Sequence, residues 1–320
     1  MRRIDGFPNT SSEIPVLLTI FNRPAKTRAV IENLRQVKPK RLFVAADGPR
    51  PDCPPDTESC RLAREEVLNI DWDCNLERRF LEHNTGCDPA VSGAIDWFFQ
   101  HVEYGIILED DCLVHPDFFE FCAALFERYF NDRRIMQLSS LSPYVSREYP
   151  YDYHFSRAFL CGGGWGTWRR AWKYFTPDMH RYGDAEALSV LKSYFPHRYQ
   201  WIQQYRKFLK FKNGQYNNWD FQWNMACFAQ NGLCIVPEKN LMQNIGFDAE
   251  STHTKSIDNP IFKNLKVERL HFPLRHPVFV YADSQPQRSL ERKIYRSLSA
   301  KSRCAYLLRR TAGTMADLFQ

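Results

Sequence analysis

"YGIILEDDCLVHPDFF", residues 104–119, opens as a strand-sized apolar run and breaks into three consecutive acids, Glu109, Asp110 and Asp111. A strongly apolar stretch beginning at Pro116 then predicts a helix over 116–130. The same order, strand then polar break then helix, occurs three times upstream. "IPVLLTIF" (14–21) is stopped by "NRP", and "AKTRAVIENLRQV" follows with helical spacing at Ala29, Val30, Leu34 and Val37. "KRLFVAADGPR" (40–50) ends at Asp47-Gly48 and leads into helical "TESCRLAREEVLNI". "ERRFLEHNTGC" (77–87) reads as a third strand, and residues 89–102 as a helix with Pro89 in its first turn. Continuous apolar runs suit parallel strands covered on both faces by helices. The expected fold class is therefore α/β, a mostly parallel central sheet flanked by helices.

In such sheets a ligand sits outside the carboxyl ends of the strands. Those ends carry Asn22-Arg23, Asp47-Gly48, His83-Asn84 and Glu109-Asp110-Asp111. Three adjacent acids repel one another unless a cation is near. A hard divalent cation that handles a diphosphate takes one or two protein carboxylates. A metal site is thus one reading of the triplet, and a solvated acidic turn is the other.

After about Ile135 the regular alternation stops, and "SSLSPYVSREYPYDYHFSRAF" has no clean period. "CGGGWGTWRRAW" (161–172) is glycine-rich and then helical. Its glycines either let a ligand approach the backbone or let the backbone pack beneath Trp165 and Trp168. Residues 184–213 predict helices. "NNWDFQWNMACFAQNG" (217–232) predicts one more, with Asn218 as N-cap and Gly232 as the stop. Asp220 falls in its first turn, where the helix dipole favours a negative charge. That alone accounts for it, yet an ionised carboxylate is also what a general base requires. "LCIVPEKNLMQNIGF" returns to a strand and a loop. His253 follows in a polar loop, where a lone histidine is ordinarily just solvated.

The chain has 320 residues, 44% of them hydrophobic, enough for a sizeable core. No apolar run approaches the roughly 20 residues that cross a bilayer, and the first fifteen residues lack the apolar stretch of a secretory signal. Ten scattered cysteines without zinc spacing read as reduced thiols, so a cytoplasmic location is expected. The net charge of +6 resides wholly in residues 285–320, which hold eight Lys/Arg against Glu291 and Asp317. The preceding 284 residues balance, 35 against 35, which argues against a nucleic-acid partner. In the tail, Leu290, Ile294 and Leu298 interleave with the cations. That pattern suits a helix lying on anionic lipid, and equally a helix packed on the body with a solvated basic face.

Taken in order, "PVLLTIFNRP", "ILEDDC", "GGWGTW", "NNWDFQW" and "PEKNLMQNIGF" resemble the nucleotide-diphospho-sugar transferases of the GT-A fold, in particular the bacterial-type proteins similar to N-acetylglucosaminyltransferase I. The likeness spans about residues 13–255 and rests on order and spacing. It implies a Rossmann-like domain over 13–284, with a nucleotide-binding half (13–138) and an acceptor half (139–284). A flexible N-terminus (1–12) would precede it, and a basic amphipathic helical tail (285–320) would follow. It implies a metal-dependent, inverting transfer of a sugar from a nucleotide-diphosphate donor, UDP-linked as in UDP-N-acetylglucosamine. The acceptor would be a hydroxyl of a glycan or lipid-linked saccharide. Asn22 and Arg23 would lie by the nucleotide, Arg23 near the diphosphate, and Asp47 would accept a hydrogen bond from uracil. Asp111 would bind a manganese (or magnesium) ion bridging the diphosphate, with Glu109 toward the ribose and Asp110 beside them. Trp165-Gly166 would line the donor sugar, Asp220 would be the catalytic base, and His253 a second ligand of the metal or phosphate. Two alternatives remain. One is a sugar-nucleotide nucleotidyltransferase of similar fold, although "FNRPAKTR" lacks the glycines of its signature. The other is a non-catalytic sugar-nucleotide-binding scaffold.

Overall fold

The computed structural model describes residues 10–143, 149–215, 218–246 and 265–284. Strands and helices alternate through β1 (Val16–Ile20), α1 (Pro24–Leu34), β2 (Arg41–Ala46), α2 (Pro54–Glu66), β3 (Asn75–Phe80), α3 (Cys87–His101) and β4 (Tyr104–Glu109). Then come β5 (Cys112–Val114), α4 (Pro116–Arg128), β6 (Ile135–Ser139), β7 (Tyr153–Ser156) and β8 (Trp165–Trp168). The described chain continues through α5 (Arg169–Trp172), α6 (Asp184–Tyr194), α7 (Arg198–Lys212), α8 (Trp219–Ala229), β9 (Leu233–Pro237) and β10 (Met242–Asn244). Eight strands form one sheet in the order β3-β2-β1-β4-β8-β6-β9-β7, while β5 and β10 pair separately as an antiparallel ribbon. Six strands of the large sheet run one way, and β8 and β7 run against them. The fold is α/β, a large, mostly parallel sheet flanked by helices.

Side chains alternate across a strand, and here that period builds two cores. Val16, Leu18, Leu42, Val44, Ile106 and Leu108 face α1 and α4, burying Val30, Leu34, Phe118 and Phe121. Leu17, Phe43, Ala45 and Ile107 face the other way, onto Ile95 and Phe98 of α3 and Phe221 and Trp223 of α8. Chain order reverses between β1 and β4: β2 and β3 are added on one side of β1, and β4 on the other. That is the topological switch point, where the loops leaving β1 and β4 diverge and open a crevice.

Several expectations need correction. The third strand ends at Phe80, not near residue 87, because the following residues fold back onto Asp47. Three further strands of the large sheet, β6, β7 and β8, lie where the reading saw no strand, while the strand expected at "LCIVP" is present as β9. β6, "IMQLS", is buried throughout, and its Gln137 is tolerated because the amide is satisfied on both sides. Its Nε2 donates to Leu160 O (3.0 Å), and its Oε1 accepts from Trp223 Nε1 (2.8 Å). The glycine-tryptophan stretch is not a loop before a helix, since Trp165–Trp168 is itself a strand wedged between β4 and β6. The stop of α8 falls on Asn231, which takes the left-handed backbone (φ 50°), rather than on Gly232. Asn231 N donates to Phe228 O (3.0 Å) and Gly232 N to Cys227 O (2.8 Å), the paired bonds of a Schellman ending.

His253 and the tail 285–320 lie outside the described residues, as do residues 1–9 of the N-terminal segment. Nine cysteines are free among the described residues. No described helix is long and apolar enough to cross a membrane.

Candidate functional site

A cavity of about 460 Å³ opens at the β1/β4 switch point. Thr19, Ile20, Phe21 and Arg23 line it from the end of β1, and Asp47 and Arg50 from the end of β2. Arg79, Asn84, Gly86 and Cys87 line it from β3 and the start of α3, and Glu109, Asp110 and Asp111 from the end of β4. Asn218, Trp219 and Asp220 approach from the start of α8. The starts of α1, α3 and α8 therefore border one space, and helix starts favour anions.

The acids are held by one arginine. The Arg23 guanidinium pairs with Asp110 Oδ1 through Nη2, and its Nη1 donates to Asp111 Oδ2 at 3.1 Å. Phe21 N also donates to Asp110 Oδ2 (3.4 Å). Burial pushes the Asp110 carboxyl up to about 6, with Arg23 opposing. Glu109, the last residue of β4, lacks such a partner in Arg23. Desolvation, then the charges of Asp111 and Asp110, push its carboxyl well above the ordinary glutamate range. The cation that relieves the repulsion within the triplet is therefore already in the chain, at least for two of the three acids.

Asp111 is shaped by the segment after β10. Ile245 N donates to the Asp111 carbonyl (2.8 Å), and Asn244 Nδ2 lies 3.4 Å from Asp111 Oδ1. A Cβ on Gly246 would stand 2.2 Å from Asp111 Oδ2, so any side chain there would push the carboxylate out of its present place. Sequence reasoning assigned no role to Asn244 or Gly246, although "QNIGF" carries the signal: a glycine two residues after an amide side chain.

Asp47 and Asn22 are turned onto the protein itself. Asp47 Oδ1 accepts from Gly48 N (2.9 Å), Thr85 N (2.9 Å) and Thr85 Oγ1 (3.1 Å). Its Oδ2 accepts from Asn84 Nδ2 (2.9 Å) and Gly86 N (3.2 Å). A carboxylate has about four lone-pair sites, so Asp47 is saturated by the loop that opens α3. Asn22 Nδ2 donates to Asp56 Oδ1 (2.8 Å) on α2, and Asn22 does not line the cavity. Arg50 completes that tie with two bonds to Asp56, which hold the Asp56 carboxyl well below the usual range. The exposed end of Arg50 sits 5.6 Å over the Phe21 ring at the cavity wall. Neither Arg50 nor Arg79 was singled out in the sequence; neither follows a run of acids or glycines that would flag it.

Asp220 lines the cavity from the first turn of α8, and its backbone N–H donates to the Asn218 cap (3.1 Å). The same turn is tied to α3, because Trp219 N donates to Asp88 Oδ1 (2.9 Å). Trp165 and Gly166 do not line the cavity. Trp165 is buried in β8 and stacks on Trp219 (5.9 Å, 23°), forming a post beneath the helix that carries Asp220. The glycine run resolves toward backbone packing. A Cβ on Gly164 would meet Leu108 and Val114 at 2.6 Å, and one on Gly166 would meet Phe126 at 2.8 Å. Only Cys161 and Gly162 of that stretch reach the cavity.

Among the described residues no group of three or more His, Cys, Asp or Glu side chains converges as a cage for a metal. Of the lining carboxylates, Asp111 could hold a divalent ion only as a single protein ligand, with the remaining oxygens coming from a bound ligand. No family model matches this chain, and a search of curated proteins finds no match to it.

Proposed function

We propose that the protein is a metal-dependent glycosyltransferase of GT-A type, moving a sugar from a UDP-linked donor onto a hydroxyl of a glycan or lipid-linked saccharide with inversion. The observation that carries this reading is the meeting, at one switch-point cavity, of the β4 acids with Arg23 on one side of the chain order and Asp220 on the other. The lining holds Arg23, Arg50 and Arg79 against Asp47, Asp110, Asp111 and Asp220, with Glu109 pushed toward its neutral form. A diphosphate entering such a lining meets more negative charge than positive, so it is favoured when a divalent cation accompanies it. Asp111 would hold that ion, whose chemistry is to stabilise the negative charge developing on the leaving diphosphate.

The remaining work falls to the chain's own side chains. Arg23, already against Asp111, is within reach of the same diphosphate. Arg50 and Phe21 offer a cationic and a flat wall for the nucleotide. Asp220 accepts the proton of the acceptor hydroxyl as its oxygen bonds to the anomeric carbon, while the bond from that carbon to the diphosphate oxygen breaks. One such displacement inverts the anomeric centre and calls for no protein nucleophile. Asp47 and Asn22 act indirectly, by holding the loops that bear Gly86 and Arg50.

One observation favours a second reading. The Arg23 pairs with Asp110 and Asp111 neutralise those acids without a metal, as suits a sugar-nucleotide-binding protein that turns nothing over. Isothermal titration separates the two. The transferase reading expects UDP to bind at least about tenfold more tightly with Mn2+ than without, a linkage between two ligands of one site. Metal-independent UDP binding with no donor turnover would support the scaffold instead.

A further inference from the structure

Of the three arginines that line the cavity, two are already engaged, Arg23 by Asp110 and Asp111 and Arg50 by Asp56. Arg79 has no hydrogen-bond or ion-pair partner among the described residues. The sheet sets its place. Arg79 stands opposite Ala45 in the β2/β3 register, on the face that packs against α3. Its guanidinium lies along that helix at Gly93, where an added Cβ would be 3.6 Å from Nη2. Glu77, two residues back on the same face, is turned toward His101, 3.8 Å from its Nδ1. Three strand spacings, about 14 Å, separate β3 from β4. A ligand that reaches both Arg79 and the β4 acids is therefore an extended one.

The walls at the Arg79 end are mostly apolar, from Ala45, Leu81, Ala90 and Val91. Two polar side chains stand among them. Asp47 is filled by its own loop. Asn84 is only half committed: its Nδ2 donates to Asp47 Oδ2 (2.9 Å) and to Gly48 O (2.9 Å). Both partners are acceptors, which fixes the orientation of the amide. Its Oδ1 is left without a partner among the described residues. This end of the cavity thus offers one unspent set of donors, the Arg79 fork, and one unspent acceptor, Asn84 Oδ1. Apolar walls with a few placed polar groups suit a flat heterocycle. A phosphate suits them less, because the Asp47 carboxylate and the Asn84 oxygen hold lone pairs on the same wall. Uracil carries a ring N–H between two carbonyl oxygens on one edge, whereas cytosine has an unprotonated nitrogen in that position. We propose that Arg79 and Asn84 read the nucleobase of the donor, Arg79 donating to a uracil carbonyl and Asn84 Oδ1 accepting from the ring N3–H. They take the part that the resemblance gave to Asp47, whose oxygens are spent on its own loop. The assignment rests on the nucleotide-sugar reading of the cavity and names what selects its base.

The test is isothermal titration of the full chain, with Mn2+, against UDP, CDP, UDP methylated at N3, and inorganic diphosphate. The wild type should bind UDP at least about tenfold more tightly than CDP or the N3-methyl analogue, since each leaves the Asn84 oxygen without a proton to accept. Arg79→Ala should lower UDP affinity by about tenfold or more and leave binding of inorganic diphosphate at the wild-type level. Arg79 supports no hydrogen bond of the described fold, so this variant should melt with the wild type. Equal wild-type affinity for UDP and either pyrimidine analogue would remove Asn84 from the base. Unchanged UDP affinity in Arg79→Ala would remove Arg79. Each result overturns the proposal and leaves the transferase reading standing. Parallel loss of UDP and inorganic diphosphate in Arg79→Ala would move that side chain to the phosphates and overturn the proposal too. Failure of the wild type to bind any of the four ligands would instead sink the transferase reading, and the base assignment with it.

Discussion

Asp111 and Asp220 carry different parts of the proposed chemistry, and their replacement should separate it. Asp220→Asn keeps the Asn218 cap and the helix, since the cap bond uses the backbone N–H. Loss of a general base costs about 10²- to 10⁴-fold in turnover, so Asp220→Asn should retain UDP binding while transfer falls by that factor. Asp111→Ala should weaken binding of Mn2+ with UDP, measured by calorimetry, as well as turnover. Glu109 offers a test by stability alone. Its folded carboxyl is raised, so the native state keeps a proton that the unfolded chain releases above about pH 4.3. Stability therefore falls as pH rises through that window, and Glu109→Gln should melt at higher temperature than wild type above it. At pH 4 and below the two should converge. Equal melting at every pH would place Glu109 outside the charge cluster. The acids at the end of β4 were legible in the sequence, because three in a row after an apolar strand is an electrostatic anomaly. Their partner was not, since Arg23 lies 87 residues before Asp110 and only the switch-point topology joins them.

At the scale of elements, two ties set the rim of the cavity. Asp47 holds the loop that opens α3, and Asp56 joins the loops after β1 and β2. Asp56→Asn should lower the melting temperature at pH 7, because its depressed carboxyl contributes fully above the ordinary aspartate value of about 3.9. That difference should shrink as pH falls below 3.9 toward the folded value. The residue just before β8 makes a packing prediction. Gly164→Ala forces a methyl against Leu108 and Val114, and overpacking of this kind costs about 1–3 kcal/mol, read by denaturant titration. β1, β2 and β4 are visible in sequence because each is a continuous apolar run, whereas β3, NLERRF, is polar and only partly buried, and its bounds were misplaced. β6 and β8 are not visible, since Gln137, Ser139, Gly166 and Thr167 break the pattern. Their tolerance depends on partners that only the assembled sheet provides, such as Trp223 for Gln137 and Met136 O for the Thr167 hydroxyl (2.7 Å). The resemblance put Trp165 at the donor sugar, yet it packs under α8, which matches the packing reading of the glycine run.

Across the whole molecule, one sheet organises everything described. Strands from both halves of the chain enter it, so the halves 13–138 and 139–284 share their cores. This arrangement lets Asp220 on α8 and the acids after β4 meet in one cavity although Asp220 lies 109 residues after Asp111. The central claim is that this cavity activates a nucleotide-diphosphate sugar with a divalent metal. The most direct measurement is hydrolysis across a panel of nucleotide sugars, with Mn2+ and with chelator, by the wild type and Asp111→Ala. The account predicts release of nucleoside diphosphate from one donor class, UDP-linked, that disappears with chelator and with Asp111→Ala. No release from any donor, or release unaffected by both chelator and Asp111→Ala, would contradict it.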